Sequence, residues 1–278
     1  MTKGIDTLVA DIFSLFDGEF EVQPKHRVEK RDSKRTLRMS NLGQPDRKLW
    51  YELKSDIQGE VLSADTRMKF LYGHLLEDMI LDMCIQAGHT VTDRQKEVEV
   101  DGVVGHIDAV IDGVLIDVKS ASSYSFKKFR DGELKDDDPF GYLQQLAGYS
   151  HALGGVDAGF LVVDKTLGHI CLDMYTKEEL KEYDTEARIK RVRRVLEGAD
   201  PPEHCYVPKP DGVSKTAPEG NGNFVLSVGC SYCPYKLDCW ASSNGGQGLR
   251  TFIYSTGPRF FTHVEKEPRA EEITTNGR

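Results

Sequence analysis

The residues with the most chemistry to offer lie in one short run, VVGHIDAVIDGVLIDVKSA, residues 103–121. An Asp112-Gly113 dipeptide between two apolar-rich segments is a strong signal for a two-residue hairpin turn, and such a turn sets the pairing on either side of it. Ile111 then faces Val114, Val110 faces Leu115, Ala109 faces Ile116 and Asp108 faces Asp117. Side chains alternate along a strand, so Lys119 shares the face of Asp117, and continued pairing sets His106 opposite Lys119. Two carboxylates directly across a sheet repel each other and call for a cation between them. A divalent metal ion satisfies that need, with the Lys119 ammonium beside it. Such a group can lower the pKa of a water and neutralise charge on a phosphate, which is the chemistry of phosphodiester hydrolysis.

Other elements must hold this group in place. A second turn, Asp101-Gly102, pairs Val100 with Val103 and Gln95 with Asp108, giving a meander of strands 95–100, 103–111 and 114–121. Upstream, Asp65-Thr66 offers a helix cap, apolar residues recur at Met68, Leu71, Tyr72, Leu75, Met79 and Met83, and Gly88 is a stop. Glu77 interrupts the apolar line of Gly73, Ile80, Leu81 and Cys84, where a carboxylate is costly unless it is paired or binds a metal. It is the candidate third acidic ligand, with a salt bridge as the alternative, whereas Asp78 and Asp82 read as a solvated face. Downstream, Asp138-Pro139 opens a helix through FGYLQQLAGYSHALG, in which Gln145 and Tyr149 stand four apart on one face. That spacing equally suits ordinary packing. Strand-like runs at 159–164 and 169–175 meet through Thr166-Leu167-Gly168. Thr176-Lys177-Glu178-Glu179 is a capping box for a helix reaching about Glu197.

Taken in order, Gly73-His74-Leu75-Leu76-Glu77, Gly105-His106-Ile107-Asp108, Asp117-Val118-Lys119 and Gln145-Leu146-Ala147-Gly148-Tyr149 resemble the motif series of the PD-(D/E)XK nuclease superfamily. The Q-x-x-x-Y helix is that of its RecB-like exonuclease branch, which includes CRISPR-associated RecB-like exonucleases and phage recombination exonucleases. The resemblance covers about residues 36 to 240, and Ser40-Asn41-Leu42 with Arg47-Lys48-Leu49-Trp50-Tyr51 are similar to the branch's opening segment. It implies an α/β fold with a mixed sheet: a helix–three-strand meander–helix–strand core followed by a cysteine-cluster appendage. Residues 1–60 would be an N-terminal helical and linker region, 61–200 the core, 201–242 the cysteine segment and 243–278 a hairpin and flexible tail. The implied activity is a Mg²⁺- or Mn²⁺-dependent DNA exonuclease acting from DNA ends in recombination, repair or phage DNA processing. The alternatives are a sequence- or structure-specific endonuclease and a catalytically inactive DNA-binding module. Glu77, Asp108, Asp117 and the Val118 carbonyl would hold the metal, and Lys119 would orient or deprotonate the water or stabilise charge. Gln145 and Tyr149 would position the water or the DNA backbone. DNA would be the partner, with a single-strand annealing or recombination protein alongside it.

Three of six cysteines, Cys230, Cys233 and Cys239, fall within ten residues as C-x-x-C-x₅-C. That bite suits tetrahedral sulfur ligation of zinc or an iron–sulfur cluster, and with no signal peptide it argues against a disulfide. Relatives in the branch carry a four-cysteine [4Fe-4S] cluster whose fourth ligand precedes the core, near Gly43 or Gln44 here, where this chain has no cysteine. Cys205, in the proline- and glycine-rich stretch 201–222, is the substitute, with His204 a weaker one and Zn²⁺ the alternative metal. Cys84 in a helix and Cys171 in a strand read as apolar packing residues.

With 278 residues and a net charge of −9, the chain is long enough for one sizeable core but too acidic to bind nucleic acid over its whole surface. Basic residues are local instead: 25–38, then Lys127, Lys128 and Arg130, then Lys190, Arg191, Arg193 and Arg194. Each group is either a solvated face or a track for a phosphate backbone. No apolar run is long enough for a membrane span, and a cytoplasmic setting in a bacterial or phage-infected cell is expected. The segment 249–264 reads as a hairpin and 265–278 as a tail disordered at its end.

Overall fold

The computed structural model describes residues 4–15, 35–60 and 64–273, so residues 25–34 of the first basic group lie outside the described residues. The chain divides into two compact units, residues 1–44 with 62–194 and residues 45–61 with 195–278.

The first unit contains helices α1 (Leu8–Ser14), α2 (Met39–Leu42) and α4 (Ala64–Gln86), while α3 (Asp46–Leu53) belongs to the second unit. Strands β1 (Val91–Thr92), β2 (Glu97–Val100), β3 (Val103–His106), β4 (Ala109–Ile111) and β5 (Val114–Ala121) follow. Next come α5 (Ser123–Arg130), α6 (Tyr142–Ala152), β6 (Ala158–Asp164), β7 (Ile170–Tyr175), α7 (Lys177–Lys181) and α8 (Thr185–Glu197). A mixed five-stranded sheet runs β1-β4-β5-β6-β7, with β5 and β6 parallel and the other pairs antiparallel. The hairpin register is the one expected from the Asp112-Gly113 turn, Ile111 opposite Val114 and Ala109 opposite Ile116. Asp112 takes φ of +50° and Gly113 +85°, the left-handed pair such a turn requires.

One face of the sheet packs on α4 and α1. Ile80, Leu81, Met83 and Cys84 meet Ile111, Ile116, Val118 and Leu161, with Leu8 and Ile12 alongside. Each fully buried Leu or Ile contributes about 1.5–3 kcal/mol, so the C-terminal half of α4 is firmly anchored. The buried stripe differs from the one expected, because Met68, Leu71 and Tyr72 near the helix start are exposed. His89, with a fully buried side chain, joins α1 to the hairpin turn, its Nδ1 2.7 Å from Asp112 and its Nε2 3.2 Å from Asp11.

The expected second strand, 103–111, breaks at Ile107-Asp108. Its first part, β3, leaves the main sheet and pairs with β2, setting His106 opposite Glu97 and not opposite Lys119. A steric demand accompanies the break. A Cβ on Gly105 would lie 2.6 Å from Met39 Cβ and 2.6 Å from Tyr149 Cε1, so only glycine lets β3 approach α2 and α6 this closely. Gly105→Ala is therefore expected to lower unfolding free energy by about 2 kcal/mol in a urea titration, while Gly113→Asn, at an open turn, changes it far less.

Two helix boundaries differ from expectation. The sixth helix starts at Tyr142 instead of Pro139, because Gly141 turns left-handed while Asp138 reaches past it to accept from the Leu143 N–H at 2.9 Å. The Thr176–Glu179 capping box forms, yet its helix stops at Lys181 and a new one begins at Thr185, with Asp184 at φ of +32° capping the Ala187 N–H.

The second unit contains α3 (Asp46–Leu53), β8 (Lys209–Pro210), β9 (Phe224–Val225), α9 (Val228–Ser231), α10 (Lys236–Cys239), β10 (Arg250–Tyr254), β11 (Gly257–His263) and β12 (Glu271–Ile273). Its antiparallel sheet runs β12-β10-β11-β9-β8. The expected hairpin at 249–264 is β10–β11. The expected tail is ordered through β12, which Arg250 holds by pairing with Glu267 and Glu272 at 2.6 Å each. Residues 45–61, read from sequence as part of an N-terminal region, pack here. Tyr51 stacks on Tyr235 at 5.6 Å, and Trp50 Nε1 donates to the Gly198 carbonyl at 3.1 Å. No described helix is long and apolar enough to cross a membrane.

Candidate active site

Asp117 and Lys119 sit on the central strand β5, on the face turned toward α6. The Asp117 side chain is 2% exposed, and its Oδ2 lies 2.5 Å from Lys119 Nζ without hydrogen-bond alignment. Asp108 stands just before β4, where the chain bends, and its Oδ2 accepts the Val118 N–H at 2.7 Å. That bond ties the two acidic positions together across the hairpin. Burial, together with the charges of Asp117 and Glu77, drives the Asp108 carboxyl well above its usual range. Glu77, just past the middle of α4, accepts from Gln95 Nε2 at 2.6 Å. Burial raises its pKa and the Gln95 bond lowers it, with Asp117 raising it again. The three carboxylates are close enough to disfavour one another's charge.

Lys119 is held from two sides. Burial alone would lower its basicity, but Asp117 and Asp108 outweigh that effect and raise it. Its Nζ also lies 5.0 Å from the Tyr142 ring centroid, a cation–π contact that sequence reading did not find. Gln145 Nε2 is 3.4 Å from Asp117 Oδ1 and 3.2 Å from the Tyr149 hydroxyl, so the Q-x-x-x-Y pair faces the acidic group. Burial, followed by the charge of Asp117, raises the Tyr149 pKa and keeps that hydroxyl a donor.

Among the described residues no three His, Cys, Asp or Glu side chains are gathered tightly enough to clasp an ion as they stand. The carboxylates instead engage Lys119, the Val118 N–H and Gln95. The donor set nevertheless suits a hard divalent cation: three oxygen ligands of like charge, with one buried oxygen of Asp117 lacking a hydrogen bond.

A groove of about 190 Å³ opens beyond Lys119, along the ends of the parallel strands β5 and β6, lined among others by Ser120, Ser122, Lys128, Phe140, Tyr142 and Lys165. Of the basic candidates on α5, Lys128 lines it while ion-paired to Asp137, and Arg130 pairs with Asp131 at 2.7 Å. Lys127 and the α8 residues Lys190, Arg191, Arg193 and Arg194 do not line it. Lys190 pairs with Glu186 at 3.7 Å, and Arg193 donates to the Asp101 carbonyl. Arg188, absent from the sequence-based candidates, fixes α8 to the Leu42 and Gln44 carbonyls at 2.9 and 2.6 Å.

In the second unit, the Cys230 thiol is pushed up to about 11 by burial, a hydrogen bond from Ser227 lowering it and Cys205, Cys233 and Cys239 raising it. The four cysteines thus share one neighbourhood. Burial raises the Cys205 pKa, which hydrogen bonds with the Lys48 and Arg47 backbone at the start of α3 lower. Arg47 Nε also donates to Cys239 Sγ at 3.1 Å. His204 stacks on Trp240 at 4.0 Å with Nδ1 3.5 Å from Cys239. Four thiols in one neighbourhood suit a tetrahedral sulfur site, although they are not drawn together as they stand. Gly43, near the usual place of the fourth cysteine, has no room for one, since a Cβ there would lie 2.1 Å from the Gly141 carbonyl oxygen.

No protein-family model and no curated protein sequence matches this chain. Solved structures do. The alkaline exonuclease LHK-Exo of Laribacter hongkongensis is 15% identical, with 59% of this chain and 91% of that chain covered and a TM-score of 0.39. A phage-related exonuclease of Haemophilus somnus 129PT is 15% identical, with 58% and 92% covered and a TM-score of 0.41. LHK-Exo in complex with dAMP matches at 15% identity, with 59% and 91% covered and a TM-score of 0.38. The chain's own motifs lie on a mixed sheet and on a glutamine–tyrosine helix facing it, the arrangement that the sequence resemblance to PD-(D/E)XK nucleases implies.

Proposed function

We propose that the protein is a metal-dependent DNA exonuclease that hydrolyses phosphodiester bonds from DNA ends. The observation that carries this reading is the meeting of Glu77, Asp108 and Asp117 with Lys119 and Gln145. The three carboxylates and the Val118 carbonyl would hold Mg²⁺ or Mn²⁺, which would supply the Lewis acidity to activate water and polarise the phosphate.

The protein's own groups account for the rest. Lys119 lies against Asp117 and the Tyr142 ring. From there it would orient or deprotonate the attacking water or stabilise negative charge on the phosphate. Gln145 gives its amide N–H groups to Asp117 and Tyr149, which leaves its carbonyl oxygen free to accept from a water. Ser120, Ser122, Lys128 and Lys165 offer hydroxyl and ammonium groups to the strand beside the scissile bond.

We also propose that Cys205, Cys230, Cys233 and Cys239 hold one metal centre, a [4Fe-4S] cluster, with zinc the alternative. Its role would be structural, holding the segments of the second unit together.

End-labelled linear DNA, single- and double-stranded, with Mg²⁺ and a closed circular control tests the activity. Linear DNA is expected to lose its label with circles intact. Cut circles would replace the exonuclease reading with an endonuclease, and intact linear DNA would leave a binding module.

A further inference from the structure

Residues 93–96 form a turn that touches both carboxylate-bearing elements. Asp93 and Gln95 both adopt φ of +53°, a conformation that residues other than glycine rarely take. The turn is closed by the Lys96 N–H on the Asp93 carbonyl at 3.2 Å. Between the two left-handed residues, Arg94 reaches α4. Its Nη1 lies 2.7 Å from Asp82 and its Nη2 3.0 Å from Asp78, two carboxylates one helical turn apart. On the other side the turn is bonded to the strand around Asp108. The Gln95 N–H donates to the Asp108 carbonyl at 3.2 Å, and the Ile107 N–H donates to the Lys96 carbonyl at 3.1 Å. The Gln95 amide then closes the bridge by donating to Glu77 Oε1 at 2.6 Å.

One residue is thus bonded through its backbone to one acidic position and through its side chain to another. Among the described side chains of the helix it reaches, Met79, Ile80, Leu81, Met83 and Cys84 pack into the core, all beyond Glu77, while the Glu77 carboxylate itself is held by the Gln95 amide. The chemistry of the side chain also suits this task. An amide donates a hydrogen bond without bringing charge, occupies one carboxylate oxygen and leaves the other for a cation. An ammonium there would neutralise Glu77 and repel a metal ion.

We infer that Gln95 is a positioning residue which sets Glu77 against Asp108 as a metal ligand, with Arg94 as the anchor that fixes the turn. The inference rests on the proposed role of Glu77 in metal binding. The test is Mn²⁺ titration calorimetry on the full chain with thermal melting alongside, so its readout does not depend on activity. Gln95→Leu is expected to weaken Mn²⁺ binding at least ~10-fold, within the roughly 10–100-fold range seen when outer partners of metal ligands are lost. In a Glu77→Gln background the same change should have no further effect. Gln95→Lys separates positioning from stability: its new ion pair with Glu77 should keep the melting temperature, while Mn²⁺ affinity falls at least ~10-fold. Unchanged affinity in Gln95→Leu, or an equal further loss in the Glu77→Gln background, would overturn the inference. Absence of Mn²⁺ binding by the unaltered chain would instead overturn the ligand reading of Glu77, and this inference with it.

Discussion

Lys119→Met is expected to reduce DNA hydrolysis by about 10²–10³-fold, the scale on which a single preorganised charge-stabilising group contributes. The same change has a second consequence that a purely catalytic lysine would not produce. Lys119 is the cation against which the Asp117 and Asp108 charges are set, and the Asp117 side chain is 2% exposed. Removing it leaves two facing carboxylates unneutralised in a buried site, a loss that costs about 3–5 kcal/mol when one partner of a buried pair is deleted. Without divalent metal the variant should therefore melt well below the unaltered protein, and added Mn²⁺ should recover more stability in the variant than in the wild type. Asp117→Asn combined with Lys119→Met should regain stability while remaining inactive. Melting curves with and without Mn²⁺, alongside DNA digestion, check all of this. Near-normal digestion by Lys119→Met would remove the lysine from the site.

Loss of the proposed sulfur-bound metal is the second large effect expected. Protein purified without oxygen should be brown and contain iron and acid-labile sulfide. Cys205→Ser should lose the metal as fully as Cys233→Ser, because each would remove one of four thiolates. In small metal-bearing segments ligand binding is folding free energy, so both variants should also expose residues 195–278 to early proteolysis. Cys84→Ser, in the α4 core, should keep full metal content. Zinc in place of iron would change the centre and keep the ligands. Full metal in Cys205→Ser would remove Cys205 from the set and turn attention to His204, whose ring stacks on Trp240 beside Cys239.

What could be read from the sequence alone was the part governed by short-range geometry. A two-residue turn and the period of a strand are local, so they set Asp108 across from Asp117 and put Lys119 on the same face. The structure keeps that register as far as Ala109 opposite Ile116, with Asp108 just beyond the last pair and bonded to the Val118 N–H. Helical spacing alone left Glu77 open to a salt bridge and Gln145 and Tyr149 to ordinary packing, and the motif resemblance singled them out, while a capping box marked the start of α7. The rest depended on residues distant in sequence. Asp78 and Asp82 looked like a solvated face, yet Arg94 binds both, because the turn carrying it folds back onto the helix. His106 was expected beside Lys119 and lies opposite Glu97, since Gly105 lets β3 turn away toward Met39 and Tyr149. Tyr142 over Lys119 and the groove along β5 and β6 arise only when helix, strand and loop converge. Basic runs look alike in sequence whether they face solvent or are bound. Only the fold shows Arg188 and Arg193 donating to backbone carbonyls and Lys128 paired with Asp137. Local rules carry no information about which distant group will satisfy a charge or fill a space, and packing of the whole chain decides it.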